Sequence, residues 1–427
     1  MKKEKLKEQL NFNTQKLKNN KAITLIALVV TIVVLLILAG ISISLVVGDN
    51  GLIRKSKDAK KQYEEAQANE LAMTDEAGDL IDETVTGNLK GTKPYLPSED
   101  YTKVPGTSLD NGLVIADKKG NEYVWVEVPK TDKVYATAGL KITEFSTEEL
   151  DSINTDLINY VKDYRTPYYF DKWYSGCGIA DLDTYTDKYN KMLKSVYQNG
   201  GFWIGRYEIG IDENTVRNFK SDTTTERSTE GQTPVIKKNK VPYNWITCDQ
   251  AESLAETFAP SGYTSSLLFG LQWDLVLKHL ETKGKNPGTS ATSLQDAING
   301  DSTDWGNYRK ASFEITNTDA MYSIDDGASW KKVSEEADKK YQKESTENVL
   351  LTTGAEARNS MLNICDFAGN LWERTLEMDY NRNDHCACRG GTYYGTSDSS
   401  TYAASARSVF FDETDGDFYL GTRVTLY

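Results

Sequence analysis

Histidine is almost missing from this sequence: 427 residues hold two, His279 and His385. That scarcity leaves little room for acid–base catalysis near neutral pH or for an imidazole-rich metal centre. A Ser–His–Asp or Cys–His mechanism would have to run through one of the two, and His279 sits inside the helical run "DLVLKHLE". Cysteine is scarce as well, and five in a chain of this length do not make a disulfide framework. Basic charge falls short of acidic charge. The 49 Lys and Arg against 63 Asp and Glu give a net charge of −14, the opposite of a nucleic-acid binder's footprint. DNA would be repelled. What the chain has instead is tyrosine, 25 against 12 phenylalanines. Tyr combines apolar area with a polar tip, which suits binding surfaces. A hydrophobic content of 39% allows a full core, and the length fits one or two domains with extras.

Residues 22–48, "AITLIALVVTIVVLLILAGISISLVVG", carry no charge, and a lysine-rich segment precedes them. As a helix this stretch reaches roughly 40 Å, enough to span a bilayer with tilt. It is too long for the apolar core of a simple secretory signal. Lysines in front and Asp49 behind place the N-terminus inside. Asp49-Asn50-Gly51 marks a turn, and "IRKSKDAKKQYEEAQANELA" (53–72) is a charged, Ala-rich helical stretch. An apolar helix running into an amphipathic one resembles a type IV pilin. The matching positions are Lys21-Ala22 at the cleavage site, followed by Ile23-Thr24-Leu25-Ile26-Ala27. The resemblance implies a prepilin leader over 1–22 cut between Ala22 and Ile23, a pilin-like helix over 23–83, and pilus subunits as partners. The family usually has Gly before the cut and Glu at the fifth mature residue; this chain has Ala22 and Ala27.

Residues 84–120 are rich in turn formers ("GTKPYLPSED", "VPGTSLDNG") and read as a linker. From 121 to 427 the pattern predicts one irregular α+β domain. "EYVWVEVP" (122–129) and "GGFWIGRYEIG" (200–210) read as strands. Residues 131–199 form a Tyr-rich insertion ending in a helical "YNKMLKSVY". "CDQAESLAETF" (248–258) and "LFGLQWDLVLKHLE" (268–281) have a 3.6-residue period and read as helices. From 282 to 355 the expectation is long loops with a small hairpin at "MYSIDDGASWKKV".

The last seventy-five residues carry the clearest motifs: "NICDFAGNLWERTLE" (363–377), "CRGGTYYG" (388–395) and "YLGTRV" (419–424). With the strands and helices above, they resemble the formylglycine-generating enzyme family, a variant of the C-type lectin fold. The resemblance implies that fold for 121–427. Catalytic members bind copper through two cysteines just after Arg-Gly-Gly, and thiolates are what soft Cu(I) requires. Here no cysteine follows Arg389-Gly390-Gly391, so no copper and no enzymatic activity are expected. Cys386 and Cys388 precede the motif on one strand face; with His385 they offer three ligands of a soft metal site, or else they are inert buried thiols. The family also holds calcium around Gly-Asn-x-Trp-Glu. The matching oxygen donors are Asp366, Gly369, Leu371 and Glu373. The alternative is that Glu373 pairs with a buried Arg.

From Thr392 to Tyr402 the chain uses only Gly, Ser, Thr, Tyr and Asp. Rigid tyrosines beside small adaptable polar residues are the composition of antibody paratopes. The candidate ligand-binding residues are Tyr393, Tyr394, Thr396, Ser397, Asp398, Ser399, Ser400 and Tyr402. A second patch adds Asp415, Asp417 and Tyr419. The segment also resembles the variable proteins of diversity-generating retroelements, which mutate adenines near the C-terminus of a lectin-like fold. Such mutation of AAC codons never yields Lys, Glu, Gln, Met or Trp, and residues 389–411 contain none of these. The expectation is a bacterial cell-surface protein. Its N-terminal helix lies in the membrane, and its extracellular domain binds a protein or cell-surface ligand. A formylglycine-generating type of copper oxidase and a purely structural minor pilin are the alternatives.

Overall fold

The computed structural model describes residues 91–217, 229–288, 291–380, 382–395, 402–408, 414 and 416–427. All belong to the larger of the two units into which the chain divides, Asp79–Tyr427. The leader, the Ala22–Ile23 junction and the apolar span lie outside the described residues. Among those described, no helix is long and apolar enough to cross a membrane.

The fold is mixed α and β, with mostly antiparallel sheets. A six-stranded antiparallel sheet runs in the order β1 (Thr102–Lys103), β2 (Val114–Ala116), β3 (Glu122–Glu127), β5 (Gly201–Gly205), β14 (Val424–Leu426) and β6 (Ser265–Leu267). The stretch read as a linker therefore contributes two strands. Its "GLVIA" is too short to alternate visibly, yet Val114 and Ile115 are buried against β3. In β3 every residue from Tyr123 to Glu127 is buried, because helix α4 (Gly270–Lys283) covers one face. Trp125 and Trp203 face each other across β3 and β5, ring centroids 5.0 Å apart.

The second sheet has the order β12 (Arg407–Ser408), β11 (Arg382–Arg389), β10 (Trp372–Asp379) and β13 (Leu420–Thr422), with β4 (Tyr169–Phe170) on the far end of β10. β13 runs parallel to β10, pairing Glu373 with Gly421. The chain then passes from β13 to β14, and so from one sheet to the other, through the single residue Arg423. Any side chain there is enclosed by both sheets, and Arg423 is fully buried.

Helices α1 (Thr147–Tyr160), α2 (Leu182–Asn199), α3 (Cys248–Glu256) and α4 have identifiable starts. Ser146 and Glu149 form a capping box on α1, and Thr247 and Gln250 form another on α3. The Asp171 carboxylate accepts from the backbone N–H groups of Gly270 (2.5 Å) and Leu271 (2.9 Å), placing negative charge at the N-terminus of α4. The expected hairpin exists: β7 (Met321–Ser323) pairs with β8 (Lys331–Lys332), and β9 (Leu350–Leu351) pairs with β7 on its other side. The 282–355 stretch is less irregular than expected. It also holds the short helix α5 (Leu294–Asn299) and a strand pair, Phe313–Ile315 with Tyr341–Lys343.

Candidate ligand-binding face

The motif residues build a rigid frame. Asn370 is the joint of the Gly-Asn-Leu-Trp-Glu turn, in the left-handed region at φ 60°. Its Oδ1 accepts from Asn307 Nδ2 (3.0 Å) and from the Leu351 N–H (3.1 Å), and its Nδ2 donates to Glu208 (2.7 Å). Gly369, at φ 76°, is needed for close approach: a Cβ there would lie 2.2 Å from the Asn307 carbonyl oxygen. Trp372 is 3% exposed and packs in the core. Arg389 opens the Arg-Gly-Gly turn from within an ion network, donating to Glu377 (3.1 Å) and Asp274 (2.8 Å). Burial opposes charge on Glu377, but Arg407, Arg389 and Arg165 together hold its carboxyl down at about 2. These charges are fully paired inside the protein.

Glu373 does not face an open cavity. Arg423 binds both its oxygens, with Nη2 at 2.7 Å and Nε at 3.0 and 3.1 Å. The alternative partner named by the sequence is thus the one present. Asp366 turns one oxygen to the Gly354 N–H at 2.6 Å, while its Oδ1 has no hydrogen-bond partner. A guanidinium occupying Glu373 puts positive charge where a cation would need a ligand. Of the four expected calcium positions, Asp366, Gly369, Leu371 and Glu373, Glu373 has both its oxygens engaged by Arg423 in this arrangement. Among the described residues, no group of three or more His, Cys, Asp or Glu is placed to hold a metal.

The C-terminal tyrosines divide by burial. Tyr393 was expected at the surface and is instead completely buried against Leu350 and Leu371. Its hydroxyl donates to Asp326 at 2.8 Å, so the polar tip that marks a binding tyrosine is used internally. Burial and the neighbouring Asp326 carboxylate both push its phenol up. Tyr402 is half-buried and packs against Trp372 at 6.0 Å. Tyr394 is 48% exposed. Its ring meets Phe418 edge-on at 6.2 Å, Phe418 meets Tyr419 at 4.5 Å, and Trp245 lies 6.1 Å from Phe418. Trp330, from the β7–β8 hairpin, packs together with Phe418 and Tyr419 against the buried Leu350–Leu371–Tyr393 cluster. Asp417 is half-buried. Its carboxylate accepts its neighbour's N–H, from Phe418, and its carbonyl accepts from Trp245. Thr396, Ser397, Asp398, Ser399, Ser400 and Asp415 lie outside the described residues.

The face is therefore aromatic, with Tyr394 outermost, Trp245, Phe418 and Tyr419 half-buried behind it, and half-buried Trp330 sharing the Leu350–Leu371–Tyr393 cluster with Phe418 and Tyr419. Sequence reading missed Trp245, Trp330, Phe418 and Asp326. Phe418 sits within the acidic-aromatic patch "DETDGDFY" that pointed to this region. Trp245 and Trp330 lie 149 and 64 residues before Tyr394 in the chain and gave no local signal.

His279 lies in the core, away from this face. His279 is 3% exposed and accepts the Glu127 N–H on Nδ1 at 3.3 Å. Burial holds its pKa down at about 3, so it is neutral.

No protein-family model matches the chain. No curated protein matches it either. Among solved structures it is similar to Treponema denticola variable protein 1, with 13% sequence identity, a TM-score of 0.26, and coverage of 53% of this chain and 84% of that one.

Proposed function

We propose that this chain is a surface-displayed, adhesin-like ligand-binding protein whose recognition face is centred on Tyr394. The observation that carries the reading is the Tyr394–Phe418 contact. A large ring is left 48% exposed yet held by aromatic neighbours on a frame fixed through Asn370. Rigid aromatic anchors of this kind dominate binding energetics. In sequence, the segments on either side, 396–401 and 409–413, are rich in Ser, Thr, Asp and Phe. The motif order supports a C-type lectin fold of the formylglycine-generating type, and the amino-acid range of 389–411 supports diversification by a retroelement. The charge-free run at 22–48 supports a membrane or pilus anchor that leaves the domain outside the cell. The reading includes no catalysis, since no cysteine pair follows Arg389-Gly390-Gly391.

The test is a screen of the fluorescently labelled domain against arrays of cell-surface proteins and glycans, repeated with Tyr394→Ala. The expected result is a loss of more than fivefold in affinity for any hit, corresponding to more than about 1 kcal/mol. A hit bound equally well by both proteins would move the recognition face elsewhere.

A further inference from the structure

Three aromatic rings stand exposed where β4 meets the end of β10. Seven large apolar or aromatic side chains are exposed among the described residues, and three of them, Tyr168 (58%), Phe170 (40%) and Tyr380 (63%), fall at this one place. The strand register explains why. β4 pairs antiparallel with β10, setting Phe170 opposite Met378 and Tyr169 opposite Asp379. The Tyr380 N–H donates to the Tyr168 carbonyl at 2.8 Å, so these two residues are the next pair. Side chains alternate along a strand, and directly opposed residues share a face. Tyr168, Phe170 and Tyr380 therefore lie on one face. Phe170 and Tyr380 are the diagonal pair, with ring centroids 5.9 Å apart and planes inclined at 63°. Tyr169 and Asp379 take the other face, where the Arg407 guanidinium lies 5.6 Å from the Tyr169 ring centroid. Asn370, which frames the Tyr394 face, and Tyr380 stand at opposite ends of β10, whose eight residues span about 25 Å.

We infer that this platform is a second binding face, and that its ligand is a saccharide. A chain of β-linked, uncharged pyranose units stacks the C–H faces of its rings on Tyr168, Phe170 and Tyr380. The chemistry of the rings selects this partner first. All three side chains are uncharged aromatics, and the negative face of an aromatic ring attracts the slightly positive C–H groups of a sugar. Tyr168 and Tyr380 add phenol hydroxyls, which exchange hydrogen bonds with sugar hydroxyls without bringing in charge. Size selects it next. The exposed surface of the three rings is about 300 Å², taking roughly 200 Å² for a whole aromatic side chain. A stable protein interface needs roughly 800 Å² from each partner. The patch is too small for that and matches a short run of sugar rings. Strand pairing also fixes the backbone that carries the rings, so little ordering cost opposes a shallow contact.

The full chain, in a detergent without a sugar headgroup, is mixed with cellohexaose or chitohexaose. Saturation-transfer NMR is then recorded while the aromatic protons of the protein are irradiated. The expected result is transfer concentrated on the ring C–H protons of at least one of the two saccharides, unchanged by high salt. Replacing both exposed tyrosines, Tyr168→Ala with Tyr380→Ala, should lower the affinity at least tenfold and leave the unfolding midpoint where it was. Four results would overturn the inference. They are no transfer to either saccharide, transfer that high salt removes, undiminished affinity in the folded double variant, and self-association of the wild type that the double variant abolishes. The last would make this face an interface between copies of the chain. The first two are read on the wild-type chain and do not depend on a variant folding.

Discussion

Asp366 takes its carboxyl into the core at a left-handed backbone position, φ 58°, with one oxygen unpartnered. Burial, only partly offset by the Gly354 N–H and Arg423, raises its pKa from 3.8 to about 7. The folded chain thus holds this proton more tightly than the unfolded chain does. The resulting stability is complete below about pH 4 and is lost as pH rises towards 7, by a few kcal/mol. Glu377 works in the opposite sense, since its carboxyl is depressed, so its contribution is lost only as pH falls from 4.5 towards 2. Urea midpoints measured between pH 5 and 8 should therefore fall with pH in the wild type and stay flatter in Asp366→Asn. Asn tolerates the left-handed region and still accepts the Gly354 N–H. Equal slopes in the two proteins would contradict this. Tyr393 shows what composition could not reveal. It lies in the same Tyr-Gly-Ser-Thr run as Tyr394, but the Leu350 and Leu371 contacts and the Asp326 acceptor come from distant segments. Tyr393→Ala should cost about 3–5 kcal/mol of folding stability, whereas Tyr394→Ala should leave the unfolding midpoint nearly unchanged. Paired denaturant titrations check both.

At the level of elements, α3 and α4 were legible because their apolar residues repeat every 3.6 positions. The "MYSIDDGASWKKV" hairpin was legible from its turn chemistry, Asp-Asp-Gly between two β-prone runs. Helix α1 has an equally local start, Ser146 with Glu149, yet its sequence is polar and its Tyr-rich surroundings masked it. β1 and β2 are two and three residues long and carry no period of their own. The passage from β13 to β14 through Arg423 is a tertiary fact, and it decides the chemistry of Glu373. Arg423→Ala leaves that buried carboxylate unpaired, at an expected cost of about 3–5 kcal/mol. Because the guanidinium already occupies Glu373, a chelator should leave the melting temperature of the wild-type domain unchanged. A drop on chelation, reversed by calcium, would contradict that assignment.

Over the whole molecule, the sequence carried the motif frame and pointed to the C-terminal region where the exposed Tyr394 ring lies, but not to the side chains that surround it. Gly369, Asn370, Trp372, Glu373 and Arg389 prove to be scaffold, held by buried hydrogen bonds and ion pairs. The outermost ring of this face is Tyr394, supported by Phe418 and Tyr419 and, through Phe418, by Trp245 from a distant stretch of chain. The net charge of −14 over the whole chain repels nucleic acid. The central claim is that recognition runs through this aromatic face and not through the buried frame. The most direct measurement is the dissociation constant of the wild-type domain and of the Tyr394→Ala, Phe418→Ala double variant for the same array-identified ligand, with unfolding midpoints recorded alongside. The account predicts that binding falls by at least tenfold, more than about 1.4 kcal/mol, while the variant remains folded. A folded double variant that binds with wild-type affinity would contradict it.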